Sequence, residues 1–354
     1  MKFTTKILLW LFFYCLCALI TIKLVMVWIG YEMYTFESLR NSEDVELTVE
    51  PGSTASSIIN RIYHPKMNRY IIKYWLKHNG NLTAVKKGYY HIPKNTGPKD
   101  ALEMIVNGRE MTFSITLVEG NTVDAVLQSV KSNKNLTHVL KKDFGEQDLK
   151  KLLGVSYSSP EGLLMPETYS FVKGETDVNL LKRAYSDMDS FLKKEYAGRK
   201  NDLPYKNEYE ALIMASIVEK ETSVPEERAK IASVFVNRLK KGMKLQTDPT
   251  VIYGVRSRYK GKIYQSYLRD DNEYNTYIIS GLPPTPIALP GKASIEAALH
   301  PDDTEYLFFV AKGPDPKQGH IFSVNEKMHN IAVHNYREAV KEYKKQHASE
   351  SKDE

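Results

Sequence analysis

The sequence predicts an α+β protein: a single transmembrane helix at the N-terminus, a small α+β module, then a larger mixed α/β domain. Three observations carry that prediction. Ile7 to Ile29 is apolar apart from Thr21 and Lys23. An alternating run twice leads through a glycine turn into an amphipathic helix, at "VELTVEPGSTASSIINRIYH" from Val45 and at "MTFSITLVEGNTVDAVLQSV" from Met111. Finally, Ala211 to Val218 is apolar nearly all round, as a helix buried on every side must be.

Composition narrows the class further. The chain has 354 residues, too many for one domain of ordinary size. Hydrophobic residues make up 42% and charged residues 26%, which excludes wholesale disorder. A mean hydropathy of −0.41 excludes a polytopic membrane protein. Lys and Arg exceed Asp and Glu by 49 to 43, a net charge of +6 with no basic stripe behind it, so no nucleic-acid partner is expected. Two cysteines cannot build a disulfide scaffold or a zinc cluster. His320, His329 and His334 lack metal-ligand spacing and read as surface or capping residues, so neither metal nor cofactor is expected.

The apolar run at 7–29 would span roughly 34 Å as a helix at ~1.5 Å per residue, enough to cross a membrane. Lys2 and Lys6 precede it, and Glu32, Glu37, Glu43 and Asp44 follow, with Arg40 the only nearby cation. This bias places residues 1–6 in the cytoplasm and the bulk of the chain outside. Trp10, Trp28, Tyr31 and Tyr34 fall where interfacial aromatics belong. A cleaved signal peptide would be shorter and end in a small-x-small site, which Val25-Met26-Val27-Trp28 does not offer. Cys15 and Cys17 both lie in the anchor, so the exported part has no thiol, which suits an oxidising compartment. Lys2, Lys6 and Lys23 hold half of the net charge, leaving only +3 outside the anchor.

Beyond the anchor, residues 30–44 read as a polar juxtamembrane linker. Val45, Leu47 and Val49 alternate as a strand, Pro51-Gly52 turns, and Ser53 or Thr54 caps a helix carrying Ile58, Ile59 and Ile62. A helix from Asn68 to Lys77, a strand in "KKGYYHIP" and a helix from Asp100 to Asn107 complete a module over 45–110. A second α+β subdomain spans 111–204. Its strand turns at Glu119-Gly120-Asn121 into a helix with Val123, Val126, Leu127 and Val130. Its insert "SSPEGLLMPETYSF" at 158–171 mixes prolines with apolar residues and must pack against something. Residues 205–345 form the last subdomain, with apolar helices, a loop holding four prolines between Leu282 and Gly291, strands at 306–311 and 320–324, and a final helix from Glu326. Residues 346–354 read as a disordered tail.

Candidate chemistry collects in that last subdomain. The buried helix ends in Glu219, Lys220 and Glu221. Glu219 shares a face with Leu212, Ala215 and Ser216; Glu221 shares one with Met214, Ile217 and Val218. A carboxyl against apolar neighbours suits general-acid work, and periodicity does not choose between the two. Ser223-Val224-Pro225-Glu226 reads as a capping box, which puts both at a helix corner. Gln246, Thr247, Asp248 and Thr250 in "LQTDPTVIYG" are short hydrogen-bonding groups suited to sugar hydroxyls; an Asx-turn capping a short helix reads equally well. The proline loop is expected to wall a groove, with Asn275 and Tyr277 facing a ligand.

Taken in order, several segments resemble the MltG (YceG-like) family of endolytic murein transglycosylases. They are "EGLLMPETYSF" at 161–171, "ASIVEKET" at 215–222, "ERAKIASVFVNRLKKGMKLQTDPTVIYG" at 227–254, "NTYIISGLPPTPIALPG" at 275–291 and "HIFSVNEKMHN" at 320–330. With the anchor they cover nearly all of the exported chain. The resemblance implies a YceG-like catalytic domain and makes 45–110 similar to a LysM-like, glycan-binding subdomain. It assigns catalysis to Glu219. The family carries phenylalanine and aspartate within the stretch that reads Leu164-Met165-Pro166-Glu167 here, so Glu167 keeps a packing role and its part in catalysis stays open, as does any assistance from Glu221.

The implied reaction cleaves the β-1,4 bond between N-acetylmuramic acid and N-acetylglucosamine in peptidoglycan and leaves a 1,6-anhydro end. Glu219 would act as acid and then as base, because the substrate's own C6 hydroxyl replaces the water that ordinary glycosidases activate with a second carboxylate. Gln246, Asp248, Asn275 and Tyr277, with Thr247 and Thr250 behind them, are the expected sugar contacts. The resemblance also implies the inner (cytoplasmic) membrane with the catalytic part periplasmic, contact with membrane lipid, peptidoglycan synthases as partners, and a limit on nascent strand length. Two rivals stand beside this: a lysozyme-like hydrolase pairing Glu219 with Asp248, and a non-catalytic peptidoglycan-binding scaffold.

Overall fold

The computed structural model describes residues 2–66 and 68–350. The chain divides into two compact units. One runs up to Phe113 and adds Ser170–Gly174; the other comprises Ser114–Tyr169 and the chain from Glu175 onward.

The first unit begins with α1 (Lys2–Glu37), the one described helix long and apolar enough to cross a membrane. Its apolar window is not buried against protein. The helix overruns the expected end at Ile29, and the reason is packing. Phe36 is fully buried, its ring edge-on to Trp75 at 5.0 Å, and Glu37 Oε1 accepts the Trp75 indole N–H at 2.7 Å. The first part of the expected 30–44 linker is therefore helix docked into a core.

That core is a βααβ arrangement. Strand β1 (Val45–Val49) pairs antiparallel with β2 (Gly88–Ile92), Val45 opposite Ile92. Helices α2 (Ala55–Tyr63) and α3 (Arg69–His78) lie between them in sequence, and α4 (Pro98–Val106) follows. Leu47, Ile58, Ile59, Trp75, Leu102 and Ile105 fill the interior. Of the two candidate caps, Thr54 takes the role: its side chain accepts from the Ser57 N–H.

Strand β3 (Thr112–Thr116) and β4 (Thr168–Val172) form a second two-stranded sheet. Between them run α5 (Val123–Ser132) and α6 (Glu146–Leu153), and α7 (Asp177–Ala197) follows. Next come α8 (Glu208–Glu221), α9 (Arg228–Lys240), the short α10 (Asp248–Gly254) and α11 (Gln265–Leu268), and α12 (Lys292–Leu299). Strands β5 (Phe308–Ala311) and β6 (His320–Ser323) pair antiparallel before α13 (Glu326–Glu350).

Helix α8 is the axis of the second unit. Every residue from Ala211 to Val218 is buried, as its all-round apolarity requires. Its one polar member, Ser216, accepts the Ile287 N–H at 3.0 Å and so ties the proline loop to the helix. The 158–167 insert packs on that same loop. Gly162, at φ +78°, leaves no room for a side chain, because a Cβ there would sit 2.5 Å from Pro286 Cβ.

Three expectations change here. The boundary at 204/205 falls inside one core, which takes Leu163, Met165, Met188 and Leu192 from before it and Leu212, Ile217 and Leu299 from after it. The capping box at Ser223 does not form: Pro225–Glu227 is a 3-10 turn, α9 starts at Arg228 without a side-chain cap, and Thr222 Oγ1 accepts the Val224 N–H instead. The C-terminal helix continues through Gln346–Glu350, and residues 351–354 of the expected tail lie outside the described residues.

Candidate active site

Glu219 is half-buried at the C-terminal end of α8. Its Oε2 accepts two hydrogen bonds, from the Gly291 N–H at 3.0 Å and the Ser294 hydroxyl at 2.7 Å. Both donors belong to the start of α12, which Gly291 caps. The proline loop delivers them: Pro283 and then Thr285 through Gly291 are buried, so its end is held rigidly against α8. With Oε2 committed as an acceptor, Oε1 is the oxygen left for proton transfer.

Glu219 opens into a cleft of about 710 Å³ that Glu119, Lys220, Glu221, Arg228 and His320 also line. Glu119 comes from the turn between β3 and α5, where Gly120 takes φ +73°. Three bonds strap this turn in place. Gly120 N–H donates to Leu289 O at 2.8 Å, Leu289 N–H donates to Asn121 O at 2.8 Å, and Lys220 Nζ donates to Gly120 O at 3.1 Å. Partial burial raises the Glu119 carboxyl above its usual range, the Glu219 charge adds to this, and Arg228 opposes it. On another wall, Glu227 accepts the His320 backbone N–H at 2.8 Å through Oε1 and meets His320 Nδ1 at 2.7 Å through Oε2. His320 is thus a cleft residue held by a carboxylate, where the sequence had suggested a surface or capping role.

Glu221 turns the other way. Its Oε2 accepts the Thr247 hydroxyl at 2.6 Å. Burial pushes its carboxyl up, and the Thr247 bond partly offsets this. Glu221 also lines a neighbouring cleft of about 420 Å³ with Arg238, Gln246, Asp248 and Tyr277. There Tyr277 Oη donates to Asp248 Oδ1 at 2.7 Å. Gln246 is exposed at φ +50°, a backbone conformation that non-glycine residues rarely hold.

The expected sugar contacts therefore separate. Gln246, Asp248 and Tyr277 meet at one open site. Thr247, Thr250 and Asn275 are buried and already bonded. Thr247 holds Glu221, Thr250 Oγ1 donates to Thr247 O at 2.8 Å, and the Asn275 amide donates to the carbonyls of Tyr267, Leu268 and Asp270. The sequence expectation placed these three against a sugar; the structure instead has their side chains buried and engaged within the protein, Thr247 with Glu221 and Thr250 and Asn275 with backbone carbonyls. Glu167 is exposed and paired with Lys292 at 2.8 Å, which holds its carboxyl below the usual range. Its neighbours Leu163, Leu164 and Met165 are buried, as a packing insert requires.

Sequence reasoning missed Glu119, Arg228 and Ser294. Glu119 was visible only as turn chemistry, because Glu50-Pro51-Gly52 has the same acid and glycine at a turn. Among the described residues, no group of three or more His, Cys, Asp or Glu side chains is arranged to hold a metal ion.

Fold and site together define a class: a two-unit α+β protein with a long apolar N-terminal helix and a glutamate-bearing cleft in its second unit. The chain belongs to the YceG-like family, whose profile matches residues 47–335. It is similar to the endolytic murein transglycosylase of Bacillus subtilis (strain 168), 31% identical over 314 residues, which cover 82% of this chain and 84% of the relative. It is 28% identical over 351 residues to the endolytic murein transglycosylase of Streptococcus pneumoniae serotype 2 (strain D39), with 86% of this chain matched and 62% of the longer pneumococcal protein spanned. A crystal structure of a YceG-like protein from Listeria monocytogenes shares the fold, with a TM-score of 0.51, 29% identity and coverage of 82% of this chain and 99% of that one.

Proposed function

We propose that the protein is a membrane-anchored lytic transglycosylase that cuts peptidoglycan glycan strands internally, with Glu219 as acid and then base. The observation that carries this is the Glu219 carboxyl itself, one oxygen fixed by Gly291 and Ser294 and the whole group lining an open cleft. The names of the curated relatives support the same substrate and reaction.

Protonated Glu219 gives its proton to the glycosidic oxygen as the bond to C1 of N-acetylmuramic acid breaks. The ionised carboxylate then takes the proton from the C6 hydroxyl as O6 closes on C1, leaving a 1,6-anhydro end. No water is consumed, so one carboxyl can serve both steps. Gln246, Asp248 and Tyr277 line the neighbouring cleft and offer an amide, a carboxylate and a phenol to sugars along the strand. Asp248 is bonded to Tyr277 there, which supports a binding role over that of the second carboxylate of a hydrolase. Lys2 and Lys6 favour a cytoplasmic N-terminus, which puts the chain beyond the apolar stretch of α1 outside the inner membrane, where nascent strands and their synthases lie. The 45–110 module, LysM-like by sequence, supplies a further glycan contact, and cleavage of new strands at this membrane limits their length.

The test is digestion of isolated uncross-linked glycan by the full chain in detergent, read by mass spectrometry. Wild type yields anhydro ends. Glu219→Gln lowers the rate by roughly 10²–10⁴-fold with the fold retained. Wild-type activity in that variant, or reducing muramic ends from the wild type, overturns the reading.

A further inference from the structure

A single-acid reaction leaves two carboxylates of the cleft unused, Glu119 and Glu221, and Glu221 is engaged by Thr247. Glu119 is exposed, and no hydrogen bond or ion pair with another described residue engages its carboxyl. Its position is nonetheless fixed by the three bonds that strap Gly120 and Asn121 to Leu289 and Lys220. Gly291 brings the two glutamates together. Its N–H donates to Glu219, while a Cβ at Gly291 would overlap the Glu119 carboxyl. Gly120, next to Glu119 in the chain, also lies beside α8: a Cβ there would be in ordinary contact, 4.0 Å from Glu219 Cγ and 3.6 Å from Lys220 Nζ. The bare Gly291 backbone thus lets both carboxyls reach one corner of the cleft. The charges acting on Glu119 are those of Glu219, Arg228 and Glu167, and Glu167 is itself paired with Lys292.

We propose that Glu119 is a second catalytic carboxylate, an anion facing the sugar ring whose bond to oxygen breaks beside Glu219. The proposal rests on Glu219 being the acid. The reaction needs an acid beside the leaving oxygen and an anion beside the developing positive charge, and the two carboxyls stand at one corner of the cleft where each can serve. As C1 parts from the leaving oxygen, the electron pair goes with that oxygen and the proton comes from Glu219. Positive charge spreads over C1 and the ring oxygen, and Glu119 offsets it from a fixed position. O6 then bonds to C1 and its proton returns to Glu219. Glu119 forms no covalent bond and carries no proton, so the product is still the 1,6-anhydro end.

The experiment compares kcat and KM on uncross-linked glycan for the full chain in detergent carrying Glu119→Gln, Glu119→Asp, Glu119→Ala or Glu219→Gln. Glu119→Gln is expected to lower kcat by roughly 10²–10³-fold with KM within about threefold and an unchanged melting midpoint. Glu119→Asp keeps the charge and is expected to recover at least about a tenth of the rate. Sodium formate, against sodium chloride at equal ionic strength, is expected to raise the Glu119→Ala rate at least about tenfold, because a small anion can occupy the vacated space. A Glu119→Gln enzyme within about threefold of wild type overturns the proposal, as do equal losses in the Gln and Asp variants with a lowered melting midpoint and no formate effect. An inactive Glu219→Gln beside a fully active Glu119→Gln defeats this proposal alone; an active Glu219→Gln defeats the reading beneath it.

Discussion

Glu219 and Glu221 stand two positions apart on one helix and meet different partners. Glu219 reaches Gly291 and Ser294, 72 and 75 residues away, while Glu221 reaches Thr247. A helical pattern records which face is apolar and carries no trace of such distant donors, so the sequence left the two tied until resemblance separated them. The buried Asn275 shows the converse: a polar residue in a polar loop reads as a ligand contact until its three carbonyl partners are seen. Glu161 has a consequence for stability. It is 2% exposed, its Oε1 accepts the Val123 N–H and its Oε2 accepts the Tyr253 hydroxyl. Burial lifts its carboxyl from the usual 4.5 to about 7, against the pull of those two bonds. The folded state therefore holds this proton more tightly than the unfolded state does. The resulting stabilisation is complete below about 4.5 and is lost as pH rises through about 7. It amounts to about 3 kcal/mol. Urea unfolding midpoints should fall between pH 5 and pH 8, and Glu161→Gln should flatten that slope.

At the scale of elements, the repeated strand, glycine turn and helix was legible from alternation and from Gly52 and Gly120. Both glycines hold the positive φ that these turns need, +84° and +73°. Where each turn goes was not legible. The Gly52 turn has open space around it, whereas the Gly120 turn is strapped to α8 and the proline loop and carries Glu119 into the cleft. The apolar stretch of α1 was equally plain, but the helix does not stop where the apolar run does. Past Ile29 the residues turn polar, which reads as a linker, yet Phe36 and Glu37 extend the helix by docking on Trp75. Phe36→Ala should cost about 3–5 kcal/mol in the first unit, the usual loss for a buried phenylalanine. A chain starting at Tyr31 should accordingly melt higher than one starting at Val45, as calorimetry would show.

For the whole molecule, the expected three exported pieces become two units, and the second is built from discontinuous chain. Its core joins Leu163, Met165, Met188 and Leu192 to α8, α9 and α12. Residues 205–345 expressed alone should therefore lack a cooperative thermal transition and near-ultraviolet circular dichroism; a fragment with native signals would show that the earlier segments are dispensable. By itself the sequence determined the apolar N-terminal helix, the α+β class, the buried helix ending in acid and the rigid proline loop. Each of these follows from a local quantity: run length, periodicity, or a backbone restricted by proline or freed by glycine. Only the tertiary structure decided which glutamate meets Gly291 and Ser294, which loop polar groups stay open, and that Glu119 shares the cleft. These depend on hydrogen bonds and close approaches between segments far apart in the chain, and a periodic pattern contains no information about its distant partners.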